Sequence, residues 1–393
     1  MDICFVALFY WGFGYAFAYG VSVLQENKKN ASFIGDTLYF YSANAEQLQS
    51  NFVGFAHMFF QFALAAASVS IISGAVAERA VMATYFVVAG FFASFVYPVV
   101  SHWVWSAPGW LCAWNSFMGV QDLYMDVGAI DFAGSGVIHL VGGTAAFFGA
   151  WWMGPRRGRF DAQGVACTMP GNSDTMQVMG TLLLWVGWLG INVGMIFTHG
   201  YSGMAAGRIA MNTILAGSAG AVSSMMLNYF TSGDYNLVSI NNGVLAGLVA
   251  SSAGCATVAP WAAVVTGLGA GLVYQFGSWF TLKLGIDDVT DSVAVHGWNG
   301  IWGCVAAGLF SRQAEMMEVY GSMQEGLFYG GGNILAANVV LCCTAICWTA
   351  AWAFFMFGAL HYAGMLRVSA TEEQGNIDGS VELAAVDAAI SKA

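Results

Sequence analysis

Two histidines lie deep inside apolar runs of this chain, His139 in GVIHLVGG and His296 in VAVHGWNG. Each follows an aspartate, His139 eight residues after Asp131 and His296 five after Asp291, and glycines follow both. A neutral imidazole donates one hydrogen bond, accepts another and titrates near neutral pH. Ionisable groups inside an apolar span are costly and mark routes for protons, ions or small polar molecules. Two such rings in a narrow apolar passage would hold and hand on a small hydrogen-bonding species and its proton. The alternative is a pair of interhelical hydrogen-bonding groups. Asp131 opens its stretch, where it would accept a backbone N–H as a helix cap; its charge would also shape a cation site at the mouth. Trp105 stands just past a helix end, either as an interface anchor or as an indole face for a cation. His57, His102, His199 and His361 lie nearer the ends of their stretches and have weaker claims.

These residues need a scaffold, and the composition says which kind. Of 393 residues, 58% are hydrophobic and only 8% charged, with a net charge of −11 and 50 glycines; mean hydropathy is +0.65. A soluble domain carries roughly 25% charged residues, so a water-soluble, disordered or nucleic-acid-binding chain is excluded. Apolar runs are continuous rather than alternating, which excludes an outer-membrane barrel. The fold class is therefore all-α, a polytopic membrane helical bundle in which small residues let helices approach closely. Most of the eight cysteines sit within apolar runs, and no CxxC or Cys/His metal spacing occurs. No charged n-region or A-x-A site marks residues 1–22 as a cleaved signal.

A span needs about 20 apolar residues. Ten stretches qualify: 3–22, 51–75, 81–103, 131–153, 175–197, 209–230, 238–256, 260–282, 292–311 and 333–362. Asp131 is the one Asp, Glu, Lys or Arg in any of them, and Pro98 predicts a kink in the third. Connections after even-numbered stretches, with the C-terminal tail, hold seven basic residues against four after odd-numbered ones, and the run 154–159 (GPRRGR) dominates. The positive-inside rule then puts both termini in the cytoplasm and the 23–50 and 104–130 connections outside. Asn30 heads a glycosylation sequon in the first of these. Residues 1–362 form the membrane domain; 363–393 form a polar, acidic tail expected to be partly ordered against the cytoplasmic face.

The stretch from Asp131-Phe132-Ala133-Gly134-Ser135-Gly136-Val137-Ile138-His139 through Gly142-Gly143 to Gly154-Pro155-Arg156 is similar to the signature of the Amt/MEP ammonium transporters. Further runs resemble that family in the same order: FGYAFAYG at 13–20, GAVAER at 74–79, VYPVVSHWVW at 96–105, Gly187-Trp188 with Asn192, AGCATVAPWAA at 253–263, Asp287-Asp288 to His296-Gly297, and Leu366-Arg367-Val368-Ser369. The resemblance covers nearly the whole chain and leans toward the eukaryotic and plant-like branches. It implies an inverted-repeat bundle of eleven spans, usually trimeric, with one pore per subunit. It implies His139 and His296 as twin pore histidines, Trp105 as the aromatic wall of an external recruitment site, Asp131 as its supporting aspartate, and Trp188 as a pore-lining residue.

Three positions depart from the pattern: Leu64 and Ile191 stand where the family has gating phenylalanines, and Met195 where it has the serine that bonds the recruited ion. The family's first span has no counterpart, so Met1 resembles an internal methionine and about ten spans are expected. The function implied is transport of ammonium, and of methylammonium, across the plasma membrane by a homotrimer in the lipid bilayer, external NH4+ being recruited and NH3, with or without a proton, passing the two histidines. A non-conducting ammonium sensor or low-affinity paralogue on the same fold is the alternative. No nucleophile elbow or HExxH motif appears, and a lone Asp/His pair offers no third ligand. No enzyme activity, metal, cofactor or nucleic-acid partner is expected.

Overall fold

In a computed structural model the chain is described over residues 2–20, 32–42, 54–116, 123–198 and 204–373. Asn30, His199 and most of the 23–50 connection lie outside these residues. Ten long helices correspond to the ten expected stretches. They are α1 (Asp2–Tyr19), α2 (Gly54–Ala75), α3 (Met82–Trp105), α4 (Ser135–Met153), α5 (Asp174–Thr198), α6 (Met204–Ser232), α7 (Leu237–Gly254), α8 (Pro260–Lys283), α9 (293–310) and α10 (Asn333–Tyr362). By length and composition α1 to α7 and α10 can cross a membrane. α8 and α9 fill the same bundle, and their glycines and polar residues dilute their hydropathy. No strand forms among the described residues; short bridges such as Ala80 with Arg367 pin loops.

Among the described residues four helices carry a π-turn: Tyr10–Gly14 in α1, Phe92–Val96 in α3, Ser135–Leu140 opening α4 and Val293–Trp298 opening α9. A π-turn widens the helix by one residue and exposes carbonyls, and such turns concentrate at functional sites. In α3 the turn ends just before Pro98, and the Trp348 indole N–H of α10 donates to Val96 O at 3.0 Å. The proline expected to kink α3 thus follows directly on a π-turn, itself a usual site of helix bending.

α4 and α9 are built alike. Each opens with a six-residue π-turn that holds its histidine. Before each stands a carboxylate that accepts N–H groups of that turn: Asp131 from Gly136 at 2.9 Å and Val137 at 2.8 Å, Asp288 from Val293 at 2.6 Å. Both aspartates lie eight residues before the histidine. The partner of Asp131 in the second half is therefore Asp288, not Asp291, whose side chain accepts from Tyr274, Ser278 and Asn242.

The two helices run in opposite directions, because Arg156 beyond the end of α4 pairs with Asp287 ahead of α9 at 2.8 Å. That pair belongs to a network at one face of the bundle. Glu78 reaches Arg156 at 2.6 Å, and the buried Arg79 guanidinium donates to Gly154 O at 2.8 Å and Asp287 O at 2.7 Å. Residues 365–373 lie on the same face: Val368 N–H donates to Arg79 O, and Arg367 binds Met153 O, Pro155 O and the buried Glu373 carboxylate. Residues 365–373 are thus docked on this face. Residues 374–393 lie outside the described residues.

Candidate functional site

His139 and His296 meet at the centre of the bundle. Their Nδ1 atoms are 3.2 Å apart, with ring centroids 5.1 Å apart. Two Nδ1 atoms share a hydrogen bond only if one ring holds the proton there and the other does not. The two Nε2 atoms then differ: one ring keeps an Nε2 lone pair, the other an Nε2–H. Each is a hydrogen-bonding station of opposite sense, and His139 Nε2 is buried with no partner among the described residues. Trp188 stacks on His139 with ring centroids 4.9 Å apart and lies nearly parallel to His296, at 6°. Its own N–H donates to Ser252 Oγ at 3.0 Å, which fixes the indole as a wall.

The close approach of the rings depends on glycine. A Cβ on Gly143 would stand 2.2 Å from the Gly297 backbone nitrogen, so α4 and α9 cross in backbone contact beside the histidines.

Toward the Trp105 face, Trp105, Leu64 and Met195 share one buried apolar core. Trp105 is the last residue of α3 rather than a loop residue, and its indole N–H donates to Asp131 O at 2.8 Å. The Asp131 carboxylate is committed to the N–H groups of Gly134, Gly136 and Val137. It therefore shapes the π-turn and offers its backbone carbonyl, not its charge, to Trp105. On α5, Trp188, Ile191 and Met195 ascend toward the same face, with Met195 about two turns above Trp188. Leu64 of α2 lies one turn from Ser68, whose hydroxyl donates to Ile138 O in the α4 π-turn at 3.1 Å. Leu64 and Met195 are fully buried, and Ile191 packs against the same core.

Phe60 escaped sequence reasoning. A Cβ on Gly194 would meet its ring at 2.7 Å, so a phenyl group one turn outward of Leu64 sits beside Met195. The signal was the four-residue spacing to Leu64, hidden among many phenylalanines. Of the remaining histidines, His102 bonds Ala18 O and Ser32 Oγ, each at 2.8 Å, and ties α3 to the outer loop. His361 packs on Trp152 at the opposite end.

On the Arg156 face two adjacent carboxylates separate in character. Burial alone would raise Asp287, but hydrogen bonds from the Arg156 side chain and N–H hold it below the ordinary carboxylate range. Burial, reinforced by Asp291, raises Asp288 to about 7.

Among the described residues no group of three His, Cys, Asp or Glu is placed to hold a metal. The family model for the Ammonium Transporter Family matches residues 1–382. Ammonium transporter 1 member 1 of Oryza sativa subsp. japonica is 37% identical over 390 residues, 96% of this chain and 76% of that protein. Among solved structures, one titled Sensor Amt Protein superposes with a TM-score of 0.81 at 27% identity, over 95% of this chain and 86% of that one. Mep2 of Candida albicans shares the fold, with a TM-score of 0.80 at 24% identity over 94% of this chain and 78% of that one. With its twin-histidine crossing and a match over nearly its whole length, the chain belongs to the ammonium transporter family, whose members are multi-pass membrane transporters rather than enzymes.

Proposed function

We propose that the chain conducts ammonia: NH4+ is recruited at the Trp105 mouth, loses a proton, and NH3 passes the His139–His296 pair. The observation that carries this is the 3.2 Å Nδ1–Nδ1 contact within an apolar bundle. It supplies one acceptor and one donor for a neutral molecule with a lone pair and N–H groups. Trp105 contributes an aromatic face for the cation, while Leu64, Ile191 and Met195 line the way inward and Trp188 walls the histidines. The Arg156 face is the cytoplasmic side, supported by the Arg79, Arg156, Arg157, Arg159 and Arg367 excess there, so the 363–393 tail is cytoplasmic. The working unit is a homotrimer in the plasma membrane, each copy with its own pore, and methylammonium is carried as an analogue.

The test is ammonium uptake in cells lacking their own transporters, comparing wild type with His139→Ala and His296→Ala at equal surface level. Changed conduction or selectivity with intact assembly supports the pore assignment; identical uptake by all three removes it. Full burial of Leu64 and Met195 favours a second reading, an ammonium sensor whose passage is plugged. Ammonium binding without uptake by the wild type selects it.

A further inference from the structure

A cavity of about 310 Å3 opens on the side of the bundle between α4, α8, α9 and α10. Its deep end is formed by Gly143 and Gly297, the pair whose backbone contact brings the histidines together. From there it runs along α4 to Phe148 and along α9 to Val293, and at its far end stands Leu284, just past α8. Phe148, Trp298 and Ile346 on its rim are half-buried and Leu284 is exposed, so the cavity is a groove open at the bundle surface. No charged residue lines it. Its hydroxyls belong to Thr144 and Thr281, and the second is spent on its own helix, donating to Gly277 O at 2.8 Å. The Trp298 ring on its wall is fixed by the edges of Phe276 and Phe280, with centroids at 5.6 and 5.7 Å.

An apolar cavity stays dry, and the solvent around a membrane span is hydrocarbon. The length of the groove and one charge identify the occupant. Leu140 to Phe148 on α4 and Val293 to Ile301 on α9 bound it lengthwise; at 1.5 Å per residue it is about 12 Å long. One leaflet holds roughly 15 Å of hydrocarbon. The groove thus spans most of one leaflet, from the histidine crossing to the helix ends at the Arg156 face. Lys283, the last residue of α8, stands at that end beside Leu284. It is exposed, and among the described residues no ion pair engages it. Basic residues at this depth attract anionic headgroups. A transmembrane helix is about 10 Å across, and 12 Å of it fills roughly three times the volume of the groove. A neighbouring subunit can therefore cover the groove but not occupy it.

We propose that the groove is a binding site for one anionic phospholipid of the leaflet on the Arg156 face. Its acyl chain lies along α4 and α9 up to the Gly143–Gly297 crossing, and its phosphate meets Lys283. The tail supplies the contacts that an empty groove denies its walls, so the lipid also stabilises the crossing. This binding is read without ammonium and goes beyond ammonia conduction; either can fail without the other.

The experiment uses the full chain, purified in detergent, stripped of lipid and titrated with phosphatidylglycerol or phosphatidylcholine. Native mass spectrometry counts bound lipid, and thermal unfolding follows stability. Wild type should hold one lipid per subunit more tightly than all others. Phosphatidylglycerol should bind there roughly fivefold tighter than phosphatidylcholine, the effect of one basic residue at an anionic surface. Lys283→Glu, a change at an exposed position, should erase that preference and leave phosphatidylcholine affinity in place. Ala350→Trp fills the groove from α10. It should lose the tight lipid of either kind, melt no lower than lipid-free wild type, and gain nothing when lipid is added. Retention of the tight lipid by Ala350→Trp overturns the groove as its seat. An unchanged preference in Lys283→Glu overturns the proposal whether or not Ala350→Trp assembles. A wild type with no tightly held lipid overturns it too, and leaves a neighbouring copy of the chain as the cover of the groove.

Discussion

Gly143 and Gly297 are in backbone contact, with the Gly297 nitrogen 2.2 Å from where a Gly143 Cβ would stand. This crossing, rather than any side-chain bond, sets the separation of His139 and His296. Neither helix can yield alone, since Asp131 anchors one π-turn and Asp288 the other. Gly143→Ala should therefore push α4 and α9 apart, at about 1–3 kcal/mol for overpacking. Surface expression should fall modestly, while ammonium uptake per molecule should collapse because the rings lose their contact. Uptake per molecule equal to wild type would show that the spacing of the rings is not what limits conduction.

Much of this architecture is legible in the sequence, for a physical reason. Lipid demands long apolar runs, and a histidine within such a run stands out, so the ten helices and the central pair are read directly. What is hidden is backbone detail. π-turns leave no compositional trace, and the closer Asp291 draws the eye from Asp288, which holds the matching place before its helix. Trp105 belongs to its helix, which runs two residues past the expected boundary at 103 before Ser106 caps it. Phe60 looks like any residue of an aromatic helix until its neighbour on α5 is known.

A second hidden feature is Asn338 in α10, a buried amide five residues into a long apolar helix. Its Oδ1 accepts the Ile130 N–H at 2.7 Å, and its Nδ2 donates to Ile130 O at 3.0 Å and Cys304 O at 2.8 Å. It clamps α10 and α9 to the segment that carries Asp131. Asn338→Leu leaves the buried Ile130 N–H and carbonyl without their partner, a loss of about 2 kcal/mol or more at 1–3 kcal/mol each. Detergent-solubilised protein should melt several degrees lower by thermal unfolding, and an unchanged midpoint would deny the clamp.

The Asp287–Asp288 pair gives stability a pH dependence with two signs. Asp288 titrates near 7 in the fold against 3.8 for an ordinary carboxyl. Between those values the unfolded chain has already lost the proton that the fold retains. The stability contributed by protonated Asp288 is complete below about pH 4 and drains away as pH rises toward and past 7. Asp287, held low by Arg156, acts in reverse and loses its contribution as pH falls. Asp288→Asn should therefore flatten the decline of melting temperature between pH 5 and 8 and leave the acid limb in place. A variant whose profile parallels wild type through that window would show that Asp288 does not titrate there.

Leu64, Ile191 and Met195 depart from the family pattern that the sequence resembles, and the energetics of those departures can be bounded. An aromatic face contributes about 0.5–2 kcal/mol to holding a cation, and a hydroxyl acceptor about 1.5–3 kcal/mol when its partner is charged. Trp105 supplies the first; at Met195 a weakly accepting thioether stands in place of the second. Phe60, packed beside Met195 through Gly194, adds an aromatic edge that Leu64 does not, so the mouth keeps an apolar cover while lacking the hydroxyl. Met195→Ser introduces the acceptor and removes bulk from a fully buried position, which both strengthens cation binding and opens the passage. Each 1.4 kcal/mol is a factor of ten, so the half-saturating methylammonium concentration should fall roughly tenfold in Met195→Ser. Adding Leu64→Phe and Ile191→Phe should lower it further only if the space beside Phe60 admits both rings; otherwise overpacking costs surface expression. High-affinity uptake by the unmodified chain, unmoved by Met195→Ser, would place recruitment away from Trp105 and Met195 altogether.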